Sequence, residues 1–242
     1  MFKRQVLVNR IGASASEIFA GAIQDYQRGV VLGGQTFGKG TVQEIIPMDY
    51  GQVKLTRSKF YRISGASTQH RGVIPDITFP DFYDAYEDIG ESSLDGALPW
   101  YTVRPVEYRT YHSIQTILPE LQNLHDERAK TSPDFIYLLG QIERTRTLRE
   151  KETLSLNELV VKQEREDSRR EEFDAENMRL ALKGLPLEEW KEDEDAEEDS
   201  TELVDEETIL VGTEEEIEEE EEGDPPLILE CGGILVDFIS LS

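Results

Sequence analysis

Asn9 to Gln43 reads NRIGASASEIFAGAIQDYQRGVVLGGQTFGKGTVQ, and this stretch decides the fold. A small-residue turn bearing serines leads into an amphipathic run, Ala15 to Arg28, in which Ile18, Phe19, Ala22, Ile23 and Tyr26 recur at helical spacing. Gly29 supplies a C-terminal stop for that helix. Val30 to Leu32 then reads as a short apolar strand punctuated by Gly33-Gly34, and Gln5 to Val8 as a buried strand running into the Gly-Ala-Ser turn. The unit carries a serine turn and a glycine-flanked lysine. A serine and a lysine brought together can serve as nucleophile and base without a histidine.

Downstream of Gly40 the pattern becomes β. Thr41 to Met48 and Val53 to Ile63 are rich in β-branched and aromatic residues, and Asp49-Tyr50-Gly51 offers the turn of a hairpin. Gly65 to Gln69 and Gly72 to Pro80 continue as loop and short extended pieces, and Asp81 to Pro99 reads as an acidic surface connection. Helical sequence is expected from Pro119 onward, with Ser132-Pro133 as an N-cap and first-turn proline. A capping box at Ser155 and Glu158, with Leu154 and Leu159 as its staple, would start a long charged helix that Gly184 closes. Leu227 to Ile239 reads as a last short helix, weakened by Gly232-Gly233.

Charge divides the chain unequally. Residues 1–110 carry 12 Lys+Arg and 12 Asp+Glu, whereas residues 188–242 carry 1 and 24 within a net charge of -26. Residues 188–222, with 21 acids and one lysine, are too charged and too poor in aromatics to fold alone, so disorder is expected there. The balance excludes a nucleic-acid partner, whose phosphates need a basic surface, and disfavours anionic membranes. No apolar run approaches a membrane span, so an integral membrane protein is not expected. The start of the chain does not read as a signal peptide, because Asn9 and Arg10 break its apolar core. The single cysteine, Cys231, cannot form an internal disulfide.

Two readings compete at each motif. Ser14-Ala-Ser-Glu17 is a capping box on pattern alone. Functionally, Ser14 would be a nucleophile at the helix start, with the Ala15 N–H helping to hold an oxyanion at the positive end of the helix. Gly33 to Thr41 nearly matches a phosphate-binding loop. It places Gly40 where the magnesium-binding hydroxyl belongs, and a strand follows where a helix should. Lys39 reads either as a solvated lysine or as a base desolvated beside Phe37 and Val42, with Gln43 orienting its amine. None of the three histidines reads as a triad member: His112 and His125 fall in the helical part, and His70 in a polar loop. No metal-ligand spacing is present, and neither metal nor cofactor is expected.

ASASE, FGKGTVQ with Lys39 downstream of Ser14, KFYRISGASTQHRGVIPDI, LPELQNLHDER and LSLNE occur in one order that resembles the carboxyl-terminal processing serine proteases, closest to the bacterial tail-specific branch. The resemblance implies an α+β chain: a partial ClpP/crotonase-like serine-protease core over residues 1–98, a helical C-terminal domain over 99–187, an acidic disordered segment over 188–223, and a short C-terminal helix over 224–242. It implies peptide-bond hydrolysis with Ser14 as nucleophile, Lys39 as general base, Gln43 in support and Ala15 in the oxyanion hole. Asp25 falls on a family aspartate read as structural. Implied partners are protein substrates with apolar C-termini and an adaptor or a missing protease half. The implied location is periplasmic, or the periplasmic side of a membrane. A truncated core with little activity alone is the matching expectation, with Val6, Val8 and Ile18 short of packing partners. The alternative functions are a non-enzymatic acidic interaction protein and, behind it, a nucleotide binder using the Gly33 to Thr41 loop.

Overall fold

The computed structural model describes residues 3–86, 88–151, 153–190 and 225–241. Its centre is a three-stranded parallel sheet. Strand β1 (Gln5–Val8) pairs with β2 (Val30–Gly33) in the register Gln5 to Val30 and Val8 to Gly33, and β5 (Ile77–Thr78) closes the other side of β2. Between β1 and β2 the chain crosses over as helix α1 (Ala15–Asp25). A central parallel strand is covered on both faces, which is why Val30-Val31-Leu32-Gly33 is apolar without alternation and wholly buried.

The two-residue period of the strand divides that burial. Val31 faces α1, where Ala20 and Val73 complete a small cluster. Val6 and Val8 pack onto this cluster, so the expectation that they lack partners is corrected; Ile18 is half exposed, as expected. Val30 and Leu32 face the opposite way, into the main core with Ile77 and Phe79.

Helices build the far side of that core. They are α2 (Ile114–Ala129), α3 (Pro133–Arg149) and α5 (Pro226–Ser240), whereas α4 (Glu158–Lys183) buries no residue and is tied to α3 through Asp134. Ile114 and Leu121 of α2, Phe135 of α3, and Cys231, Ile234 and Phe238 of α5 share one buried core with the strand residues Val30, Leu32 and Ile77. No helix among the described residues is long and apolar enough to cross a membrane.

Several element ends differ from the sequence reading for identifiable reasons. Helix α1 stops at Asp25, and the left-handed residue after it is Gln27, with φ 48°. Gly29 is needed elsewhere, since a Cβ there would sit 2.5 Å from the Arg4 carbonyl oxygen. Helix α2 begins five residues before Pro119, its Ile114 N–H capped at 2.9 Å by the Gln27 side chain, a partner supplied by distant sequence. Ser132 caps α3 as expected. Helix α4 is capped by Asn157, whose Oδ1 accepts from Leu159 N–H at 3.0 Å, rather than by Ser155. Leu154 and Leu159 are exposed and form no staple. Gly184 closes α4 in the left-handed conformation. Helix α5 runs through Gly232-Gly233 without a break. A Cβ on Gly233 would stand in ordinary contact, 3.4 Å, with the Arg128 guanidinium, so the helix does not require glycine there. The segment expected to be disordered lies almost wholly outside the described residues.

The expected hairpin is formed by β3 (Thr41–Pro47) and β4 (Gln52–Lys59), with a register shift between Val42 and Gln43. Asp81 to Pro99 is more than a surface connection. It makes two 3-10 turns, Phe82–Ala85 and Glu91–Ser93, and buries Asp81, Ala85 and Glu91.

Candidate active site

The site lies where β1 hands over to α1. Ser14 has φ 57° and ψ −107°, outside the regions an L residue adopts freely. Such a backbone costs on the order of 1–3 kcal/mol and persists only when its surroundings over-determine it. The capping box read from the sequence is present, with Glu17 Oε2 accepting from Ser14 N–H at 2.8 Å. Further restraint comes from Gly12, whose carbonyl accepts from Phe37 N–H at 3.0 Å.

Glu17 does far more than cap. It is fully buried, and its carboxylate accepts four bonds: from Ser14 N–H, from Thr36 Oγ1 at 2.6 Å, from Gly38 N–H at 2.7 Å and from Lys39 N–H at 2.9 Å. A buried carboxylate is tolerated because every donor around it points inward. Ser14 and Lys39 share one oxygen, Oε2. Their backbone nitrogens are therefore separated by no more than the two bonds laid end to end.

The lysine loop is held from its other side by Gln69. Gly40 N–H donates to Gln69 Oε1 at 2.9 Å, and Gln69 Nε2 donates to Glu91 Oε1 at 2.9 Å, both side chains being buried. His70 N–H reaches the Gly38 carbonyl at 2.7 Å, and Glu91 N–H reaches that of Phe37 at 2.8 Å. Arg10 ties the same wall to β1, donating from its backbone to Asp81 Oδ2 at 2.9 Å and from Nε to the Ile89 carbonyl at 2.8 Å. The Gly38, Lys39 and Gly40 amides are thus all spent on Glu17 and Gln69. Those three loop amides are therefore not open to a phosphate, and strand β3 follows in place of a helix.

Of the residues singled out in the sequence, Ser14 and Lys39 come together, each half-buried. Ala15 is exposed as the first residue of α1, where its N–H has no intrahelical acceptor. Gln43 is exposed on β3 opposite Thr56, just past the register shift and four residues along the chain from Lys39. Asp25 lies behind the site, paired with Arg62 Nε at 3.0 Å and Ser64 Oγ at 3.1 Å, which fastens the end of α1 to the segment after β4. His125 is buried against Phe79 and Phe135 and bonded to Glu230. Among the described residues, no group of His, Cys, Asp and Glu could hold a metal ion. The sequence reading missed Gln69, Thr36 and the wider role of Glu17. Glu17 was visible only as a cap partner, and STQHRG only as a polar loop.

Residues 3–79 match peptidase family S41, so the strand-turn-helix unit and its lysine loop belong to a peptidase class. Residues 85–240 match the C-terminal domain of tail specific protease, and with more than half of its length so matched the chain belongs to the tail-specific protease family. The tail-specific protease of Haemophilus influenzae is 39% identical over 179 residues, 68% of this chain and 26% of its own length. The carboxy-terminal-processing protease of Bartonella bacilliformis is 47% identical over 97 residues, 38% of this chain and 22% of its own. The chain therefore spans about a quarter of the length of these relatives. Among solved structures, the photosystem II D1 C-terminal processing protease is 41% identical over 31% of this chain and 20% of its own, with a TM-score of 0.30.

Proposed function

We propose that this chain carries the Ser/Lys dyad of a serine endopeptidase of the carboxyl-terminal processing type, on part of a ClpP/crotonase-like core. The observation that carries the reading is the strained Ser14 at a helix start, with its amide and that of Lys39 on one Glu17 oxygen. Ser14 Oγ attacks the peptide carbonyl while Lys39 Nζ takes its proton. The Ala15 N–H, at the positive end of α1, holds the oxyanion that forms. Lys39 returns the proton to the leaving amine, and water then hydrolyses the Ser14 ester with Lys39 again as base. Gln43 orients the lysine amine from the foot of β3.

Ile11, Ile18 and Phe19 surround the Ser14 turn and are 53%, 50% and 58% exposed. In this reading they pack against the part of the core that the longer relatives carry, which also supplies a second oxyanion donor and the recognition of apolar substrate C-termini. The helical part and the residues beyond it form a C-terminal domain with an acidic extension, in the periplasm or on its membrane face. The test joins this chain behind the portion of the Haemophilus influenzae relative that it does not match, and follows cleavage of an unfolded protein ending in apolar residues. Cleavage lost in Ser14→Ala supports the proposal. Magnesium-dependent nucleotide binding lost in Lys39→Ala, without cleavage, overturns it.

A further inference from the structure

Lys39 stands between two peptide planes, and each is pinned by a different buried side chain. The plane before it is held by Glu17, whose Oε2 accepts from Lys39 N–H at 2.9 Å. The plane after it is held by Gln69, whose Oε1 accepts from Gly40 N–H at 2.9 Å. Phe60 N–H, donating to the Gly40 carbonyl at 3.0 Å, fixes the next plane in turn. With the planes on both sides of Lys39 set from outside, the direction in which its side chain leaves the backbone is set as well.

Gln69 can hold its plane only while its amide stays one way round. Gly40 N–H can only donate, so the amide must offer it oxygen, and Nε2 is then left needing an acceptor. Glu91 supplies that acceptor, Oε1 at 2.9 Å, and a carboxylate has no proton with which to favour the reversed amide. Both side chains are buried, where an unpaired polar group costs most. Glu91 is placed in turn by the loop it serves. Its N–H donates to the Phe37 carbonyl at 2.8 Å, and Arg10 Nε donates to the Ile89 carbonyl at 2.8 Å. Gly90 between them has φ 132°, and a Cβ there would lie 3.0 Å from the Arg10 guanidinium.

We propose that Glu91, acting through Gln69, is a positioning residue for the Lys39 base, so that the segment leading into the helical domain sets the geometry of the dyad. The proposal rests on the reading of Lys39 as general base. Glu91 lies in the part matched to the C-terminal domain, residues 85–240, and Lys39 in the part matched to the peptidase, residues 3–79. The two parts therefore meet at the lysine. A base must keep its nitrogen within hydrogen-bond reach of the serine hydroxyl, and a misplacement of about 1 Å can cost on the order of 100-fold in rate. Neither Gln69 nor Glu91 needs to touch the substrate for this, so the turnover step depends on them and substrate affinity does not.

Two measurements on one set of variants test it, with unchanged helical circular dichroism marking a folded chain. In the enzyme assembled as above, Glu91→Ala is expected to lower kcat at least about tenfold with KM within about twofold of the parent. Glu91→Gln, whose side-chain oxygen still accepts from Gln69, stays within about threefold of the parent. Gln69→Ala combined with Glu91→Ala is no slower than Gln69→Ala alone, because both changes break one relay. In the full 242-residue chain, trace acetylation with acetic anhydride reads the lysine without any cleavage. The ratio of Lys39 labelling to that of exposed Lys54 is expected to rise about threefold in Glu91→Ala as the loop loosens, and to return in Glu91→Gln. An unchanged ratio or an unchanged kcat in Glu91→Ala, a loss confined to KM, or a Glu91→Gln as slow as Glu91→Ala would each overturn the proposal. Cleavage that survives Ser14→Ala overturns the dyad beneath it, and is told apart because the labelling ratio still follows Glu91.

Discussion

His125 and Glu230, 105 positions apart in the chain, meet in the core with Nδ1 and Oε1 at 2.9 Å. Arg128 lies across the same carboxylate, with Nε at 3.1 Å and a terminal nitrogen at 2.9 Å, and its other terminal nitrogen reaches Asp237 at 2.7 Å. One turn of α2 thereby clasps α5 against the sheet. The clasp explains how a helix reached across a long acidic stretch finds one fixed place.

Removing its central group should loosen α5. Glu230→Gln leaves His125 and Arg128 with a weaker acceptor, a loss of about 1–3 kcal/mol, toward the lower end because Arg128 is 35% exposed. Cys231 reports on it. The thiol is buried, and burial followed by the charge of Glu230 pushes it up to about 11. Modification by a thiol reagent in native buffer should be about tenfold faster in Glu230→Gln, matching ~1.4 kcal/mol of easier opening. Asp237→Asn, which touches only the outer leg of the clasp, should fall between. Equal rates in all three would show that the clasp does not hold α5.

The same carboxylate sets a pH dependence. Burial pulls Glu230 up, but the bonds from His125 and Arg128 outweigh it and hold the group below its ordinary 4.5. A carboxyl depressed in the folded state lends stability above its unfolded value, and that stability is lost as pH falls through the folded one. The gap in urea midpoint between the parent and Glu230→Gln should therefore be full near neutrality and shrink as pH falls below 4.5. A gap that widens in acid would contradict the assignment.

Glu17→Gln tests the carboxylate under the candidate active site. Three of its four partners are backbone N–H donors, and an amide presents one acceptor where the carboxylate presents two. At least one buried N–H loses its partner and faces another donor. The expected cost is about 2–4 kcal/mol, read as a lower urea midpoint at unchanged slope. A cost under ~0.5 kcal/mol would mean that the Ser14 and Lys39 turns are held by something else.

Two glycines should respond differently to alanine. A Cβ on Gly40 would lie 2.5 Å from the Gln69 backbone nitrogen, so the lysine loop must move, at about 1–3 kcal/mol. Gly51, at φ 83° in the hairpin turn, has nothing within 4 Å, and Gly51→Ala should cost only the left-handed backbone term of ~1 kcal/mol. Thermal melts of both variants distinguish them. Equal losses would contradict the close approach of Gly40 to Gln69.

The serine turn, α1, β2 and the hairpin were legible because each is set by local pattern: helical spacing from Ile18 to Tyr26, an apolar run at Val30, and Gly51 in a turn. What was not legible depended on residues far apart in sequence. The Gln27 side chain caps α2, so no local signal marked Ile114 as its start. Gly232-Gly233 does not break α5, whose Cys231, Ile234 and Phe238 are buried in a core formed with distant sequence. Gln69 and Glu91 read as polar surface because their bond to each other forms only once the Asp81 to Pro99 segment folds back over the lysine loop. At the candidate site, the serine and lysine could be named from their motifs, whereas the carboxylate joining them could be seen only as half of a cap.

Everything proposed for this site rests on Ser14 and Lys39 acting as one unit, and the most direct measurement is the rate of substrate cleavage by Ser14→Ala, Ser16→Ala and Lys39→Ala in the assembled enzyme. When two groups act as nucleophile and base, losing either removes nearly the whole catalytic gain. Ser14→Ala and Lys39→Ala should each lower the rate by at least ~1000-fold with folding intact, while Ser16→Ala stays within about tenfold of the parent. Turnover retained in Ser14→Ala and lost in Ser16→Ala would contradict the assignment of the nucleophile, and turnover retained in Lys39→Ala would contradict the dyad itself.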